Sequence, residues 1–142
     1  MKGARIAACV AGAMLATTGA LTVASTQTAA ASSNVYVSYD DVILGAIGEG
    51  WFNADPSGGV PGDAITACDR RSDGMSYAVE LDINPKAGHW DTDRIASTRG
   101  HLAGYCTGWI SGNIAEETKV ALRICMIESG QYSCESPKYG QA

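Results

Sequence analysis

The sequence predicts an all-β fold: an antiparallel β-sandwich or barrel of about seven short strands, stapled by two disulfides. Three observations predict it. Met75–Ile83 and Val120–Ile127 alternate along the chain with the period of two that sends successive side chains to opposite faces of a strand. No window of twelve residues carries a helical period. Four cysteines follow a segment with the pattern of an export signal, and an even count in a short exported chain reads as disulfides.

Met1–Arg5 is short and basic, Ile6–Ala24 is uncharged and rich in Ala, and Ser25–Ala31 ends in small residues. That three-part pattern reads as a secretory signal peptide over 1–31, with cleavage before Ser32 and a single secreted domain over 32–142. An uncleaved anchor is the weaker reading, because the apolar run is Ala- and Thr-rich rather than Leu-rich. A lipid anchor on Cys9 does not fit, because that cysteine precedes nearly all of the apolar stretch. Cys9 therefore leaves with the signal.

Val35–Tyr39 is β-like, and Val42–Ile47 extends it past a polar kink. Gly50–Gly62, with its Gly and Pro, reads mostly as loop, with Trp51 and Phe52 at its start. Ala64–Cys68 is a short strand. Asp73-Gly74 reads as a hairpin tip leading into the Met75–Ile83 strand; that register sets Cys68 opposite Val79, its sulfur in the core with Leu81 and Ile83. Asn84–Gly88 is a turn, and Trp90–Thr98 is a strand of mixed polarity. Gly100–Gly112 is irregular, and Ile114–Lys119 forms at most one helical turn.

Ser129-Gly130 reads as the centre of a tight hairpin. Counting outward from Glu128 and Gln131 brings Cys125 opposite Cys134. The count makes them a non-hydrogen-bonded pair, the closer kind, within reach of a disulfide. Cys125–Cys134 leaves Cys68–Cys106. The chain-entropy model gives roughly 3 kcal/mol for the short loop and roughly 4 kcal/mol for the long one. The four cysteines contain no C-x-x-C pair, so zinc is not expected.

Gly62-Asp63, Cys68-Asp69-Arg70-Arg71-Ser72-Asp73-Gly74, Ser97-Thr98-Arg99-Gly100-His101 and the Glu117-to-Cys134 hairpin resemble a group of small exported proteins from high-GC Gram-positive bacteria. These stretches cover about half of the segment 32–142. The resemblance implies secretion and a two-disulfide β fold, and it implies no activity.

Charge excludes some function classes. The chain carries −5, and the segment 32–142 holds eight basic and fifteen acidic residues, a formal −7. A nucleic-acid binder needs clustered cations to displace phosphate counterions. Docking on anionic lipid needs them too. Neither nucleic acid nor, after signal cleavage, a membrane is an expected partner.

Candidate chemistry is sparse. Asp69, Asp73, Gly74 and Glu80 match parts of a calcium-loop pattern, but Arg71 stands where an oxygen ligand belongs, and a polar turn is the simpler reading. His89, Asp91 and Asp93 alternate and would share one strand face, which could offer a divalent metal site or a solvated surface. His89, His101, Ser97 and several Asp supply the parts of a hydrolase, with no nucleophile elbow to place them. No catalytic residue, metal ligand or cofactor is assigned. Arg70-Arg71-Ser72 just after Cys68 could present a basic residue to a trypsin-like proteinase on a disulfide-braced loop. Trp51, Trp90, Trp109 and the six Tyr could stack on sugars. Aromatics in a small β domain are more often core, and a surface row of two Trp reverses that judgement. The expected function is non-catalytic binding of an extracellular protein or glycan. A serine proteinase inhibitor using Arg71 is second, and a small hydrolase or metal-dependent enzyme around His89, Asp91, Asp93 and His101 is third.

Overall fold

A computed structural model describes residues 31–142; the expected signal peptide lies outside the described residues, apart from Ala31. Eight strands form: β1 (Val35–Asp41), β2 (Gly45–Asn53), β3 (Ala64–Asp69), β4 (Ser76–Ile83), β5 (Arg94–Ser97), β6 (Lys119–Glu128), β7 (Gln131–Cys134) and β8 (Lys138–Gln141). They build two antiparallel sheets, one of three strands in the order β1-β2-β3 and one of five. In the second, β5, β4, β6 and β7 run in that order, and β8 shares the outer edge of β6 with β7. The all-β expectation holds, as a sandwich of eight strands rather than about seven.

The core lies between the sheets. Val35, Val37, Phe52, Ile65 and Ala67 come from one side, and Tyr77, Val79, Leu81, Val120, Leu122 and Ile124 from the other. The two alternating segments became β4 and β6, paired from Ser76↔Ile127 to Ile83↔Val120. Both disulfides form as expected, Cys68–Cys106 and Cys125–Cys134. The β6–β7 register is the one the turn specifies, with Glu128 opposite Gln131 and Cys125 opposite Cys134. Ser129 and Gly130 both have positive φ, at 49° and 82°, as a two-residue hairpin of the primed kind requires.

Four expectations are corrected. Val42–Leu44 does not extend the first strand. It is the turn between β1 and β2, closed by Gly45 at φ 73° and by Asp41 Oδ1, which accepts from Ile43 N and Leu44 N. Aliphatic side chains at a turn hide it from a reading based on polar punctuation. Gly50–Asn53 is strand, not loop. Gly48 and Gly50 face inward on β2, where a Cβ would collide with Tyr77 and Val79, so these glycines let the sheets approach. Asp73-Gly74 does not close a hairpin. β3 and β4 lie in different sheets, and the chain between them arches from one sheet to the other. Cys68 therefore pairs with Glu49 rather than Val79, and it points to the outer face of the three-stranded sheet. Finally, only Arg94–Ser97 of the 90–98 stretch is strand; residues 90–93 cap the outer face of β4 instead.

Candidate functional site

The outer face of the three-stranded sheet follows from strand alternation. On β1, Val35 and Val37 point in, so Tyr36 and Ser38 point out. Register then sets Tyr36 opposite Trp51, and Ser38 opposite Glu49. The next strand adds Thr66 opposite Trp51 and Cys68 opposite Glu49.

Residues 104–110 lie along the free edge of β3 as an irregular fourth strand. Ile65 and Ile110 exchange both backbone bonds, at 3.1 and 2.9 Å. Asp69 N donates to Tyr105 O, and Thr107 N donates to Ala67 O, each at 2.9 Å. The Thr107 hydroxyl meets the Thr66 hydroxyl at 3.1 Å and accepts from Ala67 N. The Cys68–Cys106 disulfide fastens this segment covalently. Trp109 is thereby placed on the same face as Trp51, with Thr66, Thr107 and the disulfide between them. These residues line an open groove of about 350 Å³.

The face thus carries a transverse row: Tyr36, Trp51, Thr66, Trp109. Neighbouring strands are about 4.8 Å apart, so the row spans about 14 Å. The Tyr36 and Trp51 ring centroids are 5.3 Å apart at 45°. Tyr36 and Trp109 are 40% and 37% exposed, open enough to meet a ligand. Polar groups fix the row. The Tyr36 hydroxyl donates to Glu49 Oε1 at 2.8 Å. Desolvation, and then that bond to Glu49, holds the Tyr36 phenol above its ordinary value, so it stays a donor. Arg70 Nε pairs with the other Glu49 oxygen, and its guanidinium lies 5.9 Å from the Trp51 ring. Lys138 Nζ stands 5.7 Å from the Tyr36 ring.

The other candidate residues are dispersed. Arg70, Arg71 and Ser72 are all exposed; Arg70 pairs with Glu49, and Arg71 and Ser72 stand on the arch between β3 and β4. Asp69 is buried, and its Oδ1 accepts from Arg71 N. Glu80 projects from the outer face of β4 into a separate cluster. There its Oε2 accepts from Arg123, Trp90 and Thr92, and the Arg123 guanidinium covers the Trp90 ring at 4.1 Å. Asp69 and Glu80 are therefore committed to different sheets. His89 and Asp91 line a polar cavity of about 180 Å³ with Asp82 and Lys86, in a loop rather than on a strand. Asp93 is tied to Ile83 N at 2.6 Å, and His101 stacks on Tyr105 at 3.7 Å. Among the described residues no three His, Cys, Asp or Glu side chains converge as a metal-binding group.

The sequence names a surface row of two Trp as the arrangement that favours sugar stacking, but does not say which rings form it. The signal for the row lay in parity: Tyr36 and Trp51 each occupy an outward position beside inward Val and Phe. Trp109 carried no such signal, because an irregular segment has no period. The chain matches no protein-family model, and no curated protein or solved structure matches it.

Proposed function

We propose that the protein is an exported, non-catalytic binding domain whose ligand is a glycan. The aromatic row on the outer face of the three-stranded sheet, Tyr36–Trp51–Thr66–Trp109, carries this reading. Sugar rings present apolar C–H faces edged by hydroxyls. A flat, rigid face of rings with hydroxyls and charges at its margin suits both. Here Glu49, Arg70 and the Tyr36 hydroxyl form the margin, and Thr66 and Thr107 sit between the two tryptophans. The two intramolecular disulfides are typical of extracellular proteins, which agrees with an extracellular ligand. Preorganisation adds to affinity: the groove floor is a strand and a disulfide, so little is left to order on binding.

The test is a titration of the oxidised protein with chito-, cello- and xylo-oligosaccharides, followed by calorimetry and tryptophan fluorescence. One series is expected to bind with a change in emission. Trp51→Ala and Trp109→Ala are each expected to weaken it about tenfold, since a stacked ring contributes about 1 kcal/mol beyond its area. Binding by none of the three series, or binding indifferent to both substitutions, would sink the reading.

A second reading, serine proteinase inhibition, is favoured by one observation: Arg71 and Ser72 are exposed three and four residues after a disulfide-anchored cysteine. Stoichiometric loss of trypsin activity, abolished by Arg71→Ala, would select it. Full residual activity would remove it.

A further inference from the structure

At the end of the sandwich where β1 turns into β2, the surface changes character. Val42 is 100% exposed and Ile43 86%. The turn that holds them out is fixed, because Asp41 Oδ1 accepts from Ile43 N at 2.8 Å and from Leu44 N at 3.1 Å. Beside it lies a hollow of about 310 Å³ whose apolar wall is Tyr39, Leu44, Ile47, Met75 and Met126. Methionines make such a wall adaptable to anchors of different shape. The rim is charged. Asp40, Asp41 and Asp73 stand against the single cation Arg71. Behind Tyr39 packs Tyr77, whose hydroxyl is the one buried side-chain polar atom without a partner among the described residues.

An aliphatic finger next to an apolar hollow is surface that a monomer gains nothing by exposing. The rim decides what covers it. A second copy of this chain would bring the same acids against these. An anionic membrane would meet the same repulsion. We infer that the hollow and the Val42–Ile43 finger receive a cationic amphipathic peptide segment, its aliphatic side chains in the hollow and its Lys or Arg residues on Asp40 and Asp73. This site is independent of the aromatic row, which lies on the outer face of the three-stranded sheet.

The probe is a synthetic amidated helix of Leu and Lys with all Leu on one face, titrated into the oxidised protein at low salt. A peptide of the same Leu pattern with Glu in place of Lys is the control. Binding of the Lys peptide alone is expected. Val42→Ser with Ile43→Ser should weaken it at least tenfold, and so should Asp40→Asn with Asp73→Asn. Glu116→Gln with Asp91→Asn removes the same charge from other parts of the surface and should leave affinity unchanged. Circular dichroism melts of each variant show that the fold persists. Four results would overturn the proposal: equal binding of the Glu peptide; a Lys peptide that binds indifferently to both groove variants; adsorption to phosphatidylcholine vesicles that the Val42/Ile43 variant abolishes while the Lys peptide stays unbound; or self-association abolished by that same variant while the Lys peptide stays unbound.

Discussion

Gly48 of β2 faces Tyr77 of β4 across the sandwich so closely that a methyl group on Gly48 would overlap the Tyr77 ring. Tyr77 is fully buried and has nowhere to go. Gly48→Ala is therefore expected to destabilise by about 1–3 kcal/mol, the usual cost of overpacking a tight core. Gly50→Ala, which meets Val79 and Val37, should behave alike. Urea unfolding of each variant checks this; a change under 0.5 kcal/mol in both would mean that the sheets can separate freely.

The Tyr77 hydroxyl has no partner, and burial first, then Asp73 and Asp69, pushes its ionisation far above the ordinary 10.0. The sign follows. The folded state keeps the proton where the unfolded chain loses it, so above pH 10 the unfolded state binds fewer protons and stability falls as pH rises. Tyr77→Phe removes both the orphaned hydroxyl and this dependence. It is expected to match or exceed the parent in stability at pH 7, and to lose less between pH 9 and 10.5. Paired urea titrations at those pH values measure it, and a steeper alkaline loss in the variant would refute it.

Glu80 and Arg123 form an ion pair at 2.7 Å, largely screened from water by Trp90 and Thr92. Removing one partner leaves the other charge buried. Arg123→Met is expected to cost about 3 kcal/mol. Replacing both, as Glu80→Gln with Arg123→Met, should restore part of that. A double-mutant cycle in urea, read with Trp90 fluorescence, decides between coupling and independent effects.

Cys68–Cys106 serves the site as well as the fold. It holds residues 104–110 against β3 and so places Trp109 beside Trp51. Cys68→Ala with Cys106→Ala is expected to cost about 2–5 kcal/mol. It should also abolish the fluorescence response to oligosaccharide at temperatures where the domain stays folded. The same double change at Cys125 and Cys134, on the other sheet, should cost stability and leave the response intact.

The sequence by itself determined the class of the fold, the strands β4 and β6 and both disulfides. The strands and one disulfide are written locally, as an alternation of period two and a turn at Ser129-Gly130 that sets the register of Cys125 and Cys134; Cys68–Cys106 then follows by elimination. Tertiary structure decided which sheet each strand joined. An Asp-Gly pair at 73–74 reads the same whether it closes a hairpin or an arch between sheets. β3 lies on one side of the core and β4 on the other, and each buries its inward face in the shared cluster, a long-range outcome that no local pair of residues encodes. That choice turned the Cys68 sulfur outward. The glycines of β2 were a second such case, looking like loop residues until Tyr77 and Val79 were packed against them. The aromatic row was a third. Each ring's outward parity was set locally by its own strand, but its neighbours came from strand pairing. Trp109 joined because residues 104–110 supply partners to the N–H and C=O groups on the edge of β3 and are fastened there by Cys68–Cys106.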